Sequence, residues 1–101
     1  MKTNTIIKSA FILITIFLQY ITASAQTTYV PDDNFEQALI DMGYDSGPLD
    51  DYVPTANISG ITTLNIMNKS ISDLTGIEDF AALQFLNCNI NNLTSIDVSS
   101  N

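Results

Sequence analysis

The sequence has no histidine, no tryptophan and no arginine, and its 101 residues include only three lysines and one cysteine. These absences close off most chemistry. Nucleophile–base arrangements, phosphate-binding loops and zinc sites lack their residue types. Without arginine, and with so few lysines, nothing can displace counterions from a phosphate backbone, which excludes nucleic acid as a partner. One cysteine supplies no disulfide framework. Composition therefore points away from an enzyme and away from any cofactor, while the acidity leaves divalent cations as conceivable companions.

Two of the three lysines sit in a leader. Lys2 and Lys8 precede a run from Ala10 to Leu18 that is apolar apart from Thr15, and Ala23-Ser24-Ala25 is a small-residue cleavage signal. Residues 1–25 read as a secretory signal peptide, too short and wrongly flanked for a spanning helix. No cysteine lies near the cut to carry a lipid. The expected mature chain starts at Gln26 and holds Lys69 as its one base against 11 acids, a net charge of −10. Such a chain is repelled by anionic lipid headgroups. A secreted or cell-surface location is expected, with no membrane insertion after cleavage.

What the chain has in quantity is one short apolar pattern written almost twice. Ile61, Leu64, Ile66, Ile71 and Leu74 recur 22 residues later as Leu83, Leu86, Cys88, Leu93 and Ile96. The spacing matches L-x-x-L-x-L-x-x-N/C-x-L, the signature of a leucine-rich repeat. In each copy the L-x-L core is a short strand whose residues alternate inward and outward. Leu64, Ile66, Leu86 and Cys88 are expected to point inward. Cys88 then packs as a small hydrophobe. Thr63, Asn65, Met67, Phe85, Asn87 and Asn89 are expected on the outer, concave face. Asn91 occupies the turn position, where its amide can satisfy backbone groups that no strand reaches, and Lys69 holds that place in the first copy. Thr75 and Glu78 have capping-box spacing ahead of Ile77 and Phe80, so a one- or two-turn helix is expected there. The stretch from Leu93 to Val98 alternates and reads as extended chain.

Ahead of the repeats, Gln26 to Val30 is a short polar leader. Asp33 to Met42 reads as an amphipathic helix with Phe35, Leu39 and Met42 on one face, acids in its first turn and Gly43 as its stop. Such a helix suits the open end of a stacked array, which something must cover. Tyr44 to Pro54 is an acidic loop, expected to be pinned by Tyr44, Leu49, Tyr52 and Val53. Thr55 to Gly60 leads into the first strand. The domain reading is a signal peptide over 1–25, an N-terminal cap over 26–60 with a helix at 33–42, and about two repeats over 61–101, the second incomplete.

From Val30 to Asn101 the chain resembles the N-terminal end of secreted bacterial leucine-rich-repeat proteins, the internalin-like and related surface families. The resemblance is carried by V30-P-D-D-N-F-E-Q-A-L-I-D-M-G-Y44, by T63-L-N-I66, by I71-S-D-L-T-G-I-E-D-F80 and by the run from Phe85 to Asn101. It implies an α/β fold: a leucine-rich-repeat solenoid fragment, a right-handed superhelix with an N-terminal helical cap. It also implies a concave face that binds a protein or glycan partner at the cell surface. Two other roles are conceivable, a purely structural cap for a longer array, or a targeting and spacer region of a larger surface hydrolase.

Ending at Asn101 within the second repeat, the chain is expected to be a fragment of a longer protein or a truncated reading frame. About three repeats are usually needed to bury a common core. Leu83, Leu86, Leu93 and Ile96 would then offer a surface for self-association. Asp41, Asp45, Asp50 and Asp51 lie close in sequence, but their spacing is not that of an EF-hand, which weighs against bound calcium. Asp50 and Asp51, being adjacent in a loop, do not face each other as a catalytic pair. Three glycosylation sequons, at Asn57, Asn68 and Asn92, are background in an asparagine-rich repeat.

Overall fold

The computed structural model describes residues 25–94 and 100–101. Residues 1–24 of the expected signal peptide and the positions Ile96 and Val98 lie outside the described residues. The chain builds two small sheets. Strand β1 (Thr27–Tyr29) pairs antiparallel with β2 (Tyr52–Pro54), and β3 (Thr63–Asn65) pairs parallel with β4 (Phe85–Asn87). Between them lie α1 (Asp33–Asp41), α2 (Thr55–Ile58) and a 3-10 turn at Ile77–Asp79. The content is mixed helix and strand.

The stretch read as a polar leader is a strand. Thr27, Thr28 and Tyr29 are β-branched or aromatic, which suits a pleated edge, and they pair with Pro54, Val53 and Tyr52 respectively. Thr28 and Val53 turn inward, while Tyr29 and Tyr52 meet on the outer surface with ring centroids 5.5 Å apart. Apolar periodicity does not register a three-residue strand with one buried position. The lead-in to β3 likewise contains α2, whose Ile58 is buried.

Helix α1 ends one residue earlier than expected. Asp32 caps it, its Oδ1 accepting from the Phe35 N–H at 3.0 Å, and Gly43 follows the end at φ +85°. Met42 is the C-cap and is 38% exposed, so it does not share the buried face. That face is Phe35, Glu36, Ala38 and Leu39. The acidic loop is held differently too. Leu49 and Tyr52 stay exposed, and only Val53 is buried and Tyr44 half-buried. The loop is anchored by Glu36, whose two carboxylate oxygens accept from the backbone N–H groups of Asp50 and Asp51 at 3.0 and 2.9 Å.

The first coil departs from expectation at its cap. Thr75 does not cap the short helix; its N–H and Oγ1 both donate to Asp73 Oδ1. Gly76 takes the N-cap place at φ +106°, and Glu78 Oε2 accepts from the Gly76 N–H. A Cβ there would stand 2.7 Å from the Tyr29 carbonyl oxygen and 2.9 Å from Val30 Cγ2. Glycine is required twice over, by the left-handed backbone and by the close approach of cap and coil.

One apolar cluster joins the two parts. Val30, Phe35, Ala38, Leu39, Val53 and Ile58, all before residue 61, pack with Leu64, Ile66, Ile71, Leu74, Ile77 and Phe80. Phe35 and Phe80 stack across the seam at 6.1 Å. Asp32 reinforces the seam, its Oδ2 accepting from the N–H groups of Ser72 and Asp73 at 2.9 and 3.1 Å. One carboxylate thus caps α1 and fixes the coil beside it.

Candidate binding face on the parallel ribbon

In β3 and β4 the inward residues Leu64 and Leu86 are register partners. Thr63 then lies beside Phe85, and Asn65 beside Asn87. Thr63, Asn65 and Phe85 are exposed and Asn87 is half-buried. Phe85 is 67% exposed, unusual for a phenylalanine in a strand. A shallow open groove runs over this ribbon, lined by Thr63, Leu64, Asn65, Gln84, Phe85, Leu86 and Asn87. Met67 and Asn89 follow the strands, both exposed and outside the groove lining.

Gln84 is the lining residue that strict alternation misses. The N–H groups of Gln84 and Phe85 both donate to the Thr62 carbonyl, at 2.8 and 3.0 Å. Gln84 stands just ahead of β4, outside the alternation of the strand, and is exposed.

The two asparagines of the ribbon are set in the same way. Asn65 Oδ1 accepts from the Met67 N–H, and Asn87 Oδ1 from the Asn89 N–H, each at 3.2 Å. This local bond to the residue two ahead fixes an Asn side chain. Asn91 does a different job. Its Oδ1 accepts from the N–H groups of Lys69 and Ile71, both at 3.0 Å, and its Nδ2 donates to the carbonyls of Ile66 and Cys88, both at 2.8 Å. Three of those four partners belong to the preceding coil, so the side chain staples one coil to the next.

The acids gather elsewhere. Carboxylate oxygens of Glu36, Asp45 and Asp50 lie within 4.8 Å of one another, as do those of Asp33, Glu36 and Asp51. Burial pushes the Glu36 carboxyl above its ordinary value, offset by the two loop N–H groups that bond it. Asp41 is apart from both groups, accepting from Gln37 Nε2. Of the acids singled out by sequence proximity, Asp45, Asp50 and Asp51 therefore gather around Glu36, which that reading left out.

No family model matches the chain. Among curated proteins it is similar to internalin J of Listeria monocytogenes, with 36% identity over 76 residues, 72% of this chain and 8% of that protein. The solved functional domain of InlJ from the same organism, described as including a cysteine ladder, superposes with a TM-score of 0.62 at 32% identity, covering 77% of this chain and 18% of that one. The chain is an internalin-like bacterial leucine-rich-repeat protein. A second internalin of L. monocytogenes, InlF, matches at a TM-score of 0.58 and 25% identity over 67% of this chain and 20% of its own. The structure of the CBM51-2 and INT domains of Clostridium perfringens ZmpB shares the fold at a TM-score of 0.60 and 20% identity, over 74% of this chain and 15% of that one. The internalin-like chain thus spans less than a tenth of the curated relative that it matches.

Within the internalin-like chain, Asp32 and Glu36 are the structural residues that sequence reasoning passed over. A signal existed for the first: Asp at the N-cap place of a predicted helix. A buried glutamate has no signature in an apolar pattern.

Proposed function

We propose that this chain is an exported, non-enzymatic leucine-rich-repeat module whose parallel ribbon binds a protein or glycan partner at the cell surface. The observation that carries the reading is Phe85, a large apolar side chain left 67% exposed on a strand and flanked by Thr63, Asn65 and Asn87. A rigid aromatic anchor surrounded by polar groups is the usual anatomy of a binding hot spot. In this reading residues 1–25 direct export and are removed, residues 26–60 are the cap, and residues from 61 onward are coils of a right-handed solenoid. Thr63, Asn65, Met67, Phe85, Asn87 and Asn89 form the face, and Asn91 is the inter-coil staple. Cys88, half-buried against the core, packs as a small hydrophobe.

A structural cap is the second reading, favoured by the seam in which Phe35 stacks on Phe80 and Asp32 bonds the first coil. The two are separated by applying the chain and its Phe85→Ala variant to arrays of glycans and of cell-surface proteins. The binding module predicts a signal that Phe85→Ala weakens by about tenfold with the thermal melt unchanged. A structural cap predicts no signal on either array.

A further inference from the structure

From the same face we infer the class of ligand: a neutral, extended saccharide chain lying across the strands, one sugar unit per coil. This rests on the ribbon being the binding face.

The first observation is where charge is absent. Among the described residues the ten acids all lie outside the groove, as does Lys69. The groove is lined by a hydroxyl, three carboxamides, one exposed aromatic ring and two leucines. In a chain this acidic an anionic ligand meets repulsion and no base to balance it, and a cationic one finds its counter-charges elsewhere. An uncharged partner fits.

The second observation is how the amides are held. Asn65 and Asn87 are register partners, and each spends its Oδ1 on the backbone N–H two residues ahead. The acceptor is consumed and the Nδ2 donors remain. Among the described residues Asn65 Nδ2 has no hydrogen-bond partner, and Asn87 Nδ2 has only the Met67 sulfur at 3.9 Å, a weak acceptor. The face therefore offers repeated, pre-set donors and asks for a ligand rich in acceptors. Fixing the donors beforehand lowers the ordering cost of binding.

The third observation is spacing. Asn65 and Asn87 are register partners on adjacent strands, whose backbones run about 4.8 Å apart. Same-side carbonyls of an extended peptide recur at about 6.6 Å, twice the rise per residue, and fall out of step at once. An extended pyranose chain rises by close to the strand spacing per unit, alternate units turning opposite faces, and every unit carries hydroxyls on both edges. Each brings hydroxyl and ring oxygens for the amides and an apolar C–H face for Phe85.

The experiment is a nuclear magnetic resonance titration that follows the side-chain amide signals of Asn65 and Asn87. The probes are neutral cello-, xylo-, malto- and chito-hexaoses, with oligogalacturonate as the anionic control. Saturable shifts of both amides are expected with at least one neutral hexamer and none with galacturonate. Phe85→Ala should weaken that binding about tenfold. Asn87→Asp, which keeps the Oδ1 bond but replaces the donor with a charge, should weaken it at least as much while the melting temperature holds. Amide signals unmoved by every neutral hexamer would overturn the saccharide inference. If they then respond to an uncharged peptide or a folded protein, the binding-face reading stands without it. Silence toward all three classes removes both.

Discussion

The two coils carry the same spacing and yet differ in what that spacing achieves. Leu64, Ile66 and Ile71 are buried, at 1%, 0% and 0% exposure, whereas their counterparts Leu86, Cys88 and Leu93 are only half-buried. The residues are comparably apolar and face the same way. What differs is the neighbourhood. The first coil lies between the cap, which supplies Val30, Phe35 and Leu39, and the second coil, whereas the second coil packs against the first. A repeat pattern fixes direction; burial requires a neighbour on both sides.

Truncation of the paired leucines gives the largest expected effects and measures that asymmetry directly. Leu64→Ala leaves a cavity inside the joint core and should cost about 2–5 kcal/mol. Leu86→Ala removes a side chain already partly in water and should cost about 1–2 kcal/mol. Urea denaturation of the two variants gives both numbers. Equal losses would mean that the second coil is as well supported as the first.

Asn91→Ala comes next and tests the join between the coils. The substitution leaves the N–H groups of Lys69 and Ile71 and the carbonyls of Ile66 and Cys88 without the partner they now share. Since water can reach part of this site, a loss of about 1–3 kcal/mol is expected. Hydrogen exchange locates it, because protection should fall at Ile71 in the first coil although the change is in the second. Unaltered exchange at Ile71 would show that the coils hold together without the staple.

How much of this was legible follows from which forces leave a pattern in sequence. The 22-residue recurrence of apolar positions placed Leu64 beside Leu86, since side-chain direction in a strand has period two and any slip reverses it. The outward set Thr63, Asn65, Phe85 and Asn87 came with the same register. The features that were not legible depend on polar groups meeting over long separations. Asp32 bonds Ser72 and Asp73, 40 and 41 residues away, and Glu36 bonds Asp50 and Asp51. No local spacing encodes those meetings. Gln84 stands just ahead of β4, where strand alternation does not apply, and Met42 is exposed at the C-cap of α1.

The smallest expected effect concerns the turn after each strand. Asn68 and Ile90 occupy equivalent places 22 residues apart, and both are left-handed, at φ +56° and +57°. Asparagine tolerates that region and isoleucine does not, because a β-branched Cβ crowds the following carbonyl. Ile90 is also 71% exposed, so little burial offsets the strain. The second coil is thus strained at a point where the first is relaxed. Ile90→Asn should therefore stabilise the chain by about 1 kcal/mol, and Asn68→Ile should destabilise it by a similar amount. Thermal melts of the two variants, read together, decide the matter: opposite shifts of like size place the difference in the backbone. A loss of stability in Ile90→Asn would instead mean that the exposed isoleucine makes contacts that outweigh its strain.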